Sequence, residues 1–182
     1  MDEAVDSAGG GPGTRRWAVF LDRDGTLIED PGYLSRPEGV RVLPGVPAAL
    51  RRLRAAGCLL VLVSNQSGIG RGYYAEEDYA RVHAATEAAL GFRFDGERHC
   101  PHHPDSKCSC RKPAPGMLLS AARKLSIDLR RSFVVGDRES DVLAGRAAGC
   151  RAVLIGPGPA PEGVLTAPDL AGAADLILAE MP

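Results

Sequence analysis

Long hydrophobic runs are missing from this chain. No stretch approaches the ~18 consecutive apolar residues of a membrane-spanning helix, so no membrane is expected as a partner. Net charge is missing too: 22 basic residues against 23 acidic ones give a formal charge of −1, and only 5% of the residues are aromatic. Binding nucleic acid takes a basic face and stacking surfaces, so no nucleic acid is expected either. There is no GxxxxGK[ST], and GIGRG at 68–72 is too incomplete for a dinucleotide fingerprint, which sets nucleotide-dependent kinase chemistry aside. The opening stretch, MDEAVDSAGGGPGT, has neither a basic start nor an apolar centre. It reads as a disordered leader over residues 1–14 and not as a signal peptide, and the expected location is the cytoplasm. A disulfide framework is also lacking. The five cysteines are an odd set, three of them crowded into CPHHPDSKCSC, which is a better metal site than a set of bridges.

What is present fits one α/β domain over residues 15–182. The 182-residue length matches a single domain, and a hydrophobic share of 45% is enough for a core. WAVFL (17–21), LLVLV (59–63), SFVV (132–135) and AVLI (152–155) are short apolar runs, with DLIL (175–178) a weaker fifth. Continuous apolar character, in place of alternation, predicts strands buried on both faces of a parallel sheet. Between them lie helical patterns: VPAALRRLRAA before Gly57, AEEDYARVHAATEAAL before Gly91, PGMLLSAARKL after Ala114, and SDVLAGRAA before Gly149. The alternation predicts a doubly wound, Rossmann-like parallel sheet.

In such a fold, function lies beyond the carboxyl ends of the strands. The first predicted strand ends in Asp22-Arg-Asp24, the second in Ser64-Asn65-Gln66-Ser67 and the third in Gly136-Asp137, while Arg111-Lys112 precedes the helix leading into the third. Two carboxylates one residue apart repel each other unless something positive lies between them. Phosphoryl transfer uses this set. A carboxylate can attack phosphorus and carry the phosphoryl group. A second carboxylic acid can protonate the leaving oxygen and then activate water. A hydroxyl and an ammonium can hold the remaining phosphoryl oxygens. A hard cation such as Mg²⁺ suits the oxygen ligands and neutralises the paired acids.

DRDGT resembles the DxDGT signature of the haloacid dehalogenase superfamily, with Ser64, Lys112 and Gly136-Asp137 matching its second, third and fourth motifs. DRDGTLIEDPGYL, SNQSGIGRGYY and CPHHP…CSCRKPAPGMLLSA resemble more narrowly the heptose 1,7-bisphosphate phosphatases; histidinol-phosphate phosphatases of the same subfamily share much of the pattern. The resemblance runs from about Trp17 to Ile155. It implies a superfamily-type fold with little or no cap, and a Mg²⁺-dependent phosphatase that removes the C7 phosphate of a heptose 1,7-bisphosphate through an aspartyl-phosphate, on the way to nucleotide-activated heptose. The runner-up is histidinol phosphate or another small sugar phosphate. It further implies Asp22 as nucleophile, Asp24 as acid/base, and Ser64 and Lys112 on the phosphoryl group. Mg²⁺ would be held by the carboxylates of Asp22 and Asp137 and the carbonyl of Asp24. Asp30, Gly32, Tyr33, Asn65, Gln66, Ser67, Arg111 and Arg138 would line the substrate site. Asp141 reads as a helix N-cap or an outer partner of the site, with a metal role as the lesser alternative. This chain departs from the family in having Ser64 where Thr is common, Arg138 where many members have Lys, and a shorter segment between His103 and Cys108. The protein is expected to be a monomer.

The cysteine cluster has its own chemistry. Cys100, His102, Cys108 and Cys110 offer three thiolates and an imidazole, a closed tetrahedral zinc set with no open position, so its role is structural. His103 could replace His102 as the fourth ligand. The resemblance implies zinc at the same four positions, on a loop that presents Arg111 and Lys112.

Overall fold

The computed structural model describes residues 16–158 and 161–181. The expected leader at 1–14 lies outside them. In chain order the elements are β1 (Ala18–Leu21), α1 (Val46–Ala55), β2 (Leu59–Asn65), the single turn α2 (Ser67–Gly70), α3 (Glu76–Leu90) and β3 (Gly96–Cys100). There follow α4 (Gly116–Leu125), β4 (Phe133–Gly136), α5 (Glu139–Ala148), β5 (Arg151–Ile155), β6 (Leu165–Ala167) and α6 (Leu170–Ala179). The six strands form one sheet in the order β3-β2-β1-β4-β5-β6, and every neighbouring pair is parallel.

The central strands are apolar throughout because both of their faces are covered. Val19 and Leu21 of β1 pack with Leu60, Leu62, Phe133 and Val135 under Leu50 and Leu53 of α1, Val82 of α3 and Ile177 of α6. Ala18 and Phe20 point the other way, to Val61, Val63 and Val134 under Met117, Leu118 and Ala121 of α4 and Ala144 of α5. Each large apolar side chain so buried contributes ~1.5–3 kcal/mol. The doubly wound parallel sheet is thus as expected, and so are the four helices. α3 begins with Asp78 accepting from the Ala75 N–H at 2.8 Å and stops at Gly91, whose φ of +61° is a left-handed cap.

The predicted fifth strand is a correction. DLIL lies inside α6, where Leu170, Ala173, Ala174 and Ile177 are buried at helical spacing and Asp169 caps the start by accepting from the Gly172 N–H at 2.9 Å. Four residues are too few to tell the two periods apart; the eight from 170 to 177 show the helical one. Two strands had no apolar run to announce them, the polar β3 and the three-residue β6.

Between β1 and α1 the chain forms a loop with one 3-10 turn (Pro37–Gly39) and isolated bridges from Ile28 to Asp24 and Val42. No cap domain is inserted there. No helix among the described residues is long and apolar enough to cross a membrane.

Candidate active site

β1 stands where the strand order reverses, so its carboxyl end faces the crevice in which α/β sheets bind ligands. Asp22 is the first residue past β1, and its N–H donates to the Val135 carbonyl of β4 at 3.1 Å. The chain then folds back, with the Leu27 N–H donating to the Arg23 carbonyl at 2.9 Å and the Gly25 N–H to that of Ile28 at 2.8 Å. Gly25 has φ +82°, and a Cβ there would lie 2.3 Å from Asp137 Oδ2. Glycine is required on both counts.

Lys112 reaches this point from the loop before α4. Its Nζ donates to Asp22 Oδ1 at 2.7 Å and to the Val63 carbonyl at 2.9 Å, and lies 2.6 Å from Asp141 Oδ1. The residue is only 3% exposed. Burial opposes its charge, but the Asp22 and Asp141 carboxylates outweigh that and hold its pKa above the usual lysine value.

Asp22, Asp137 and Asp141 each bring a carboxylate oxygen within 4.8 Å of the others. One lysine does not neutralise three acids. Asp137 Oδ1 is buried with no hydrogen-bond partner among the described residues. Burial, and then the charges of Asp22 and Asp141, push Asp137 up to about 6. An all-oxygen set with an unpartnered buried acceptor and surplus negative charge fits a hard divalent cation. Of the places expected for Asp141, the N-cap itself belongs to another residue, and Asp141 stands one turn in, against Lys112. Arg138 is the N-cap of α5, and Asp141, three residues on, accepts from the Arg138 N–H at 3.1 Å through Oδ2 while Oδ1 faces Lys112.

A cavity of about 420 Å³ opens beside these groups. Its wall contains Asp22, Asp24, Asp30, Gly32, Tyr33, Ser64, Asn65, Gln66, Ser67, Arg111, Lys112 and Arg138, every residue read from the sequence as catalytic or substrate-lining. Gln66 is the hub. Its Nε2 donates to Asp24 Oδ2 at 2.9 Å and Ser64 Oγ at 2.7 Å, while its Oε1 accepts from Tyr74 at 2.6 Å and Arg23 at 3.3 Å. Burial raises the Asp24 pKa and outweighs the adjacent Arg23 guanidinium. Asp30 Oδ2 accepts from Arg138 at 2.6 Å, and Arg138 Nε is 3.9 Å from Asp137. Arg111 also lines the cavity, with a buried NH1 that has no partner among the described residues. Sequence reasoning missed Tyr74 and Arg23. Tyr74 carried no signal, but Arg23 did: a cation between two acids at the end of a buried strand has to go somewhere.

The cysteine loop joins this site at its edge. Cys110 Sγ is 3.2 Å from Cys100 Sγ and 3.5 Å from Cys108 Sγ, Cys100 and Cys108 are 3.5 Å apart, and His102 Nδ1 lies 3.2 Å from Cys110 and 3.5 Å from Cys100. Bonds of ~2.0–2.3 Å to one zinc would put tetrahedral donors about 3.5–3.8 Å apart; three of the five separations match that and two are slightly shorter, so the four donors are gathered closely enough to share one ion. His103 is elsewhere, its Nδ1 accepting from the Asp105 N–H at 3.3 Å. His99 bridges Glu97 and Glu76, at 2.8 Å from each. The loop is packed closely: a Cβ on Gly116 would meet the Ser109 carbonyl at 2.2 Å, and one on Gly70 the His103 nitrogen at 2.3 Å. The wall of the cavity includes Pro104 from the same loop.

Residues 109–178 match the HAD-hydrolase-like family. Over 140 residues the chain is 46% identical to a D-glycero-β-D-manno-heptose-1,7-bisphosphate 7-phosphatase of Pasteurella multocida, covering 72% of this chain and 76% of the relative. The chain belongs to the heptose bisphosphate phosphatase family of HAD-like hydrolases. A family member of Rhodopseudomonas palustris is 43% identical over 145 residues, 74% of this chain and 81% of its own. The fold agrees. A heptose bisphosphate phosphatase from B. bronchiseptica, crystallised with magnesium and phosphate, superposes with a TM-score of 0.83 at 36% identity over 90% of this chain and 99% of its own.

Proposed function

We propose that this chain is a Mg²⁺-dependent phosphatase that removes the C7 phosphate of D-glycero-D-manno-heptose 1,7-bisphosphate through an aspartyl-phosphate. The observation that carries this reading is Asp22 itself, an acid at the end of the central strand with Lys112 at 2.7 Å and Asp137 and Asp141 beside it. Asp22 attacks phosphorus, forming the new O–P bond as the ester P–O bond breaks. Asp24 gives its proton to the departing sugar oxygen and takes one back from the water that later releases phosphate. The Ser64 hydroxyl accepts from Gln66, so its own hydrogen is free to donate to a phosphoryl oxygen, and Lys112 offsets charge beside it. Mg²⁺, held by the Asp22 and Asp137 carboxylates and the Asp24 carbonyl, would supply the charge that lets one anion approach another.

Zinc on Cys100, His102, Cys108 and Cys110 is proposed as a structural ion that fixes Arg111 and Lys112. The free cysteines are in keeping with a cytoplasmic protein. Histidinol phosphate carries an amine, which needs a carboxylate such as Asp30 or Glu29; Asp30 is already taken by Arg138, and Glu29 is not part of the cavity wall. Arg111 instead lines the cavity, with a buried NH1 that has no partner among the described residues, and its guanidinium suits a second phosphate. Phosphate release from a panel of both heptose 1,7-bisphosphate anomers, fructose 1,6-bisphosphate and histidinol phosphate tests the reading. Fastest turnover is expected on a heptose bisphosphate, and faster turnover of histidinol phosphate would overturn it.

A further inference from the structure

Arg23 sits between the two aspartates in sequence, yet it is not part of the cavity wall. It is 1% exposed and stands behind Asp24, with its guanidinium 5.3 Å from the centre of the Tyr79 ring. Nε donates to Asp24 Oδ1 at 3.1 Å and NH2 to Asp24 Oδ2 at 3.0 Å. NH2 also reaches Gln66 Oε1 at 3.3 Å, while NH1 is buried with no partner among the described residues. A buried cation is costly, and all the hydrogen bonds that offset this one lie on the edge that grips Asp24.

Counting acceptor positions shows what the grip does. A carboxylate offers about four lone-pair positions, two on each oxygen. On Asp24, Oδ2 accepts from Arg23 NH2 and Gln66 Nε2, and Oδ1 accepts from Arg23 Nε. One position is left, on Oδ1, and Asp24 borders the cavity with 19% of its side chain exposed. We propose that Arg23 is the positioning residue for Asp24, fixing the remaining site on Oδ1 as the place from which the proton passes to the leaving oxygen.

The inference rests on the phosphatase reading, in which the ester P–O bond breaks while the Asp24 proton moves to the departing oxygen. A sugar alkoxide needs that proton. A p-nitrophenolate leaves without it. If Arg23 acts through Asp24, its loss therefore falls on the first ester and spares the second, whereas a residue that only fills the core affects both alike.

The test compares the Mg²⁺-loaded wild type with Arg23→Met and Arg23→Lys, measuring kcat/KM, which reports the first chemical step, on heptose 1,7-bisphosphate and on p-nitrophenyl phosphate. Arg23→Met should lower kcat/KM on the sugar ester by ~10²-fold or more, within the usual range for general acid catalysis, and on the aryl ester by less than about tenfold. Lysine, which keeps the charge and loses the fork, should fall between. Retained aryl phosphatase activity also shows that the variant is folded. Should Arg23→Met fail to fold, Arg23→Lys decides by the same ratio. Equal losses on both esters, or no loss on either, would overturn the inference and leave the phosphatase reading standing. A wild type that hydrolyses neither ester would remove that reading, and this inference with it.

Discussion

The Asn65 side chain holds the Lys112 backbone from both sides. Its Nδ2 donates to the Lys112 carbonyl at 3.1 Å, and its Oδ1 accepts from the Lys112 N–H at 3.0 Å. Asn65 ends β2, so this pair fastens the loop carrying the buried lysine to the rigid sheet. Asn65→Ala removes both bonds, each worth ~0.5–1.5 kcal/mol. A displacement of about 1 Å at a reacting group can cost ~10²-fold. The expected outcome is a ten- to hundredfold lower kcat with a thermal melt shifted by only a few degrees. Unchanged turnover would mean that Asp22, Asp141 and the Val63 carbonyl hold the lysine without help.

Asp22→Asn should abolish phosphate release, because an amide does not attack phosphorus. Asp24→Asn should slow turnover by ~10²–10⁴-fold, the usual contribution of general acid–base catalysis. Acid-quench trapping with p-nitrophenyl phosphate, whose leaving group needs no proton, separates the two, since Asp24→Asn can still form the aspartyl-phosphate from it and Asp22→Asn cannot. Phosphoenzyme in Asp22→Asn would sink the assignment.

Removing Mg²⁺ with excess EDTA should silence the enzyme, and Asp137→Ala should weaken Mg²⁺ binding by the loss of one charged oxygen. The fold supplies a less direct probe. Gly25→Ala forces a Cβ to within 2.3 Å of Asp137 Oδ2 at a φ of +82°, so it should weaken Mg²⁺ binding by displacing that ligand without replacing it. Calorimetric Mg²⁺ titration of the three proteins checks this. Wild-type affinity in Gly25→Ala would show that the cation does not depend on where Asp137 stands.

Purified protein should carry close to one zinc per chain, retained through the dialysis that strips Mg²⁺, since thiolates prefer the softer ion. Cys108→Ser or Cys110→Ser should release it and lower activity through a loosened Arg111–Lys112 segment. Metal analysis checks the first statement, and protease sensitivity near residue 105 the second. Zinc-free protein prepared without chelator would refute the site.

Arg111→Ala should cost more on a heptose 1,7-bisphosphate than on the matching 7-monophosphate, because the Arg111 guanidinium at the cavity wall has no second phosphate to bind in the latter. A loss of ~10-fold or more in kcat/KM is expected, confined to the bisphosphate. Equal loss on both would assign Arg111 to the reacting phosphate.

Legibility followed packing. β1, β2, β4 and β5 could be read from sequence because two covered faces demand unbroken apolar runs. The polar residues just beyond them could be read because an open parallel sheet puts such ends in one place. The DLIL segment of α6 resembles a strand because its four residues are too few to display a helical period. Asp141 was recognised as belonging to the helix start, but its bond to Lys112 joins residues 29 apart in sequence, and no local pattern encodes that. The hub at Gln66 was hidden for the same reason: its partners come from three separate segments.

β3 was hidden by its composition, GERHC, and that composition has a second consequence. It is an outer strand, with β2 on one side and, among the described residues, no strand on the other. An apolar ribbon in that position would be a template for another chain to zip onto. The charged Glu97 and Arg98 and the Glu-bound His99 make the border unattractive for such pairing, and Cys100 ends it in the thiol cluster. At the opposite border, β6 is too short to template anything. The polarity that concealed the strand from a reader of the sequence is also a guard against self-association, so replacing Glu97 and Arg98 with valine would strengthen the local strand signal and turn a soluble border into a sticky one.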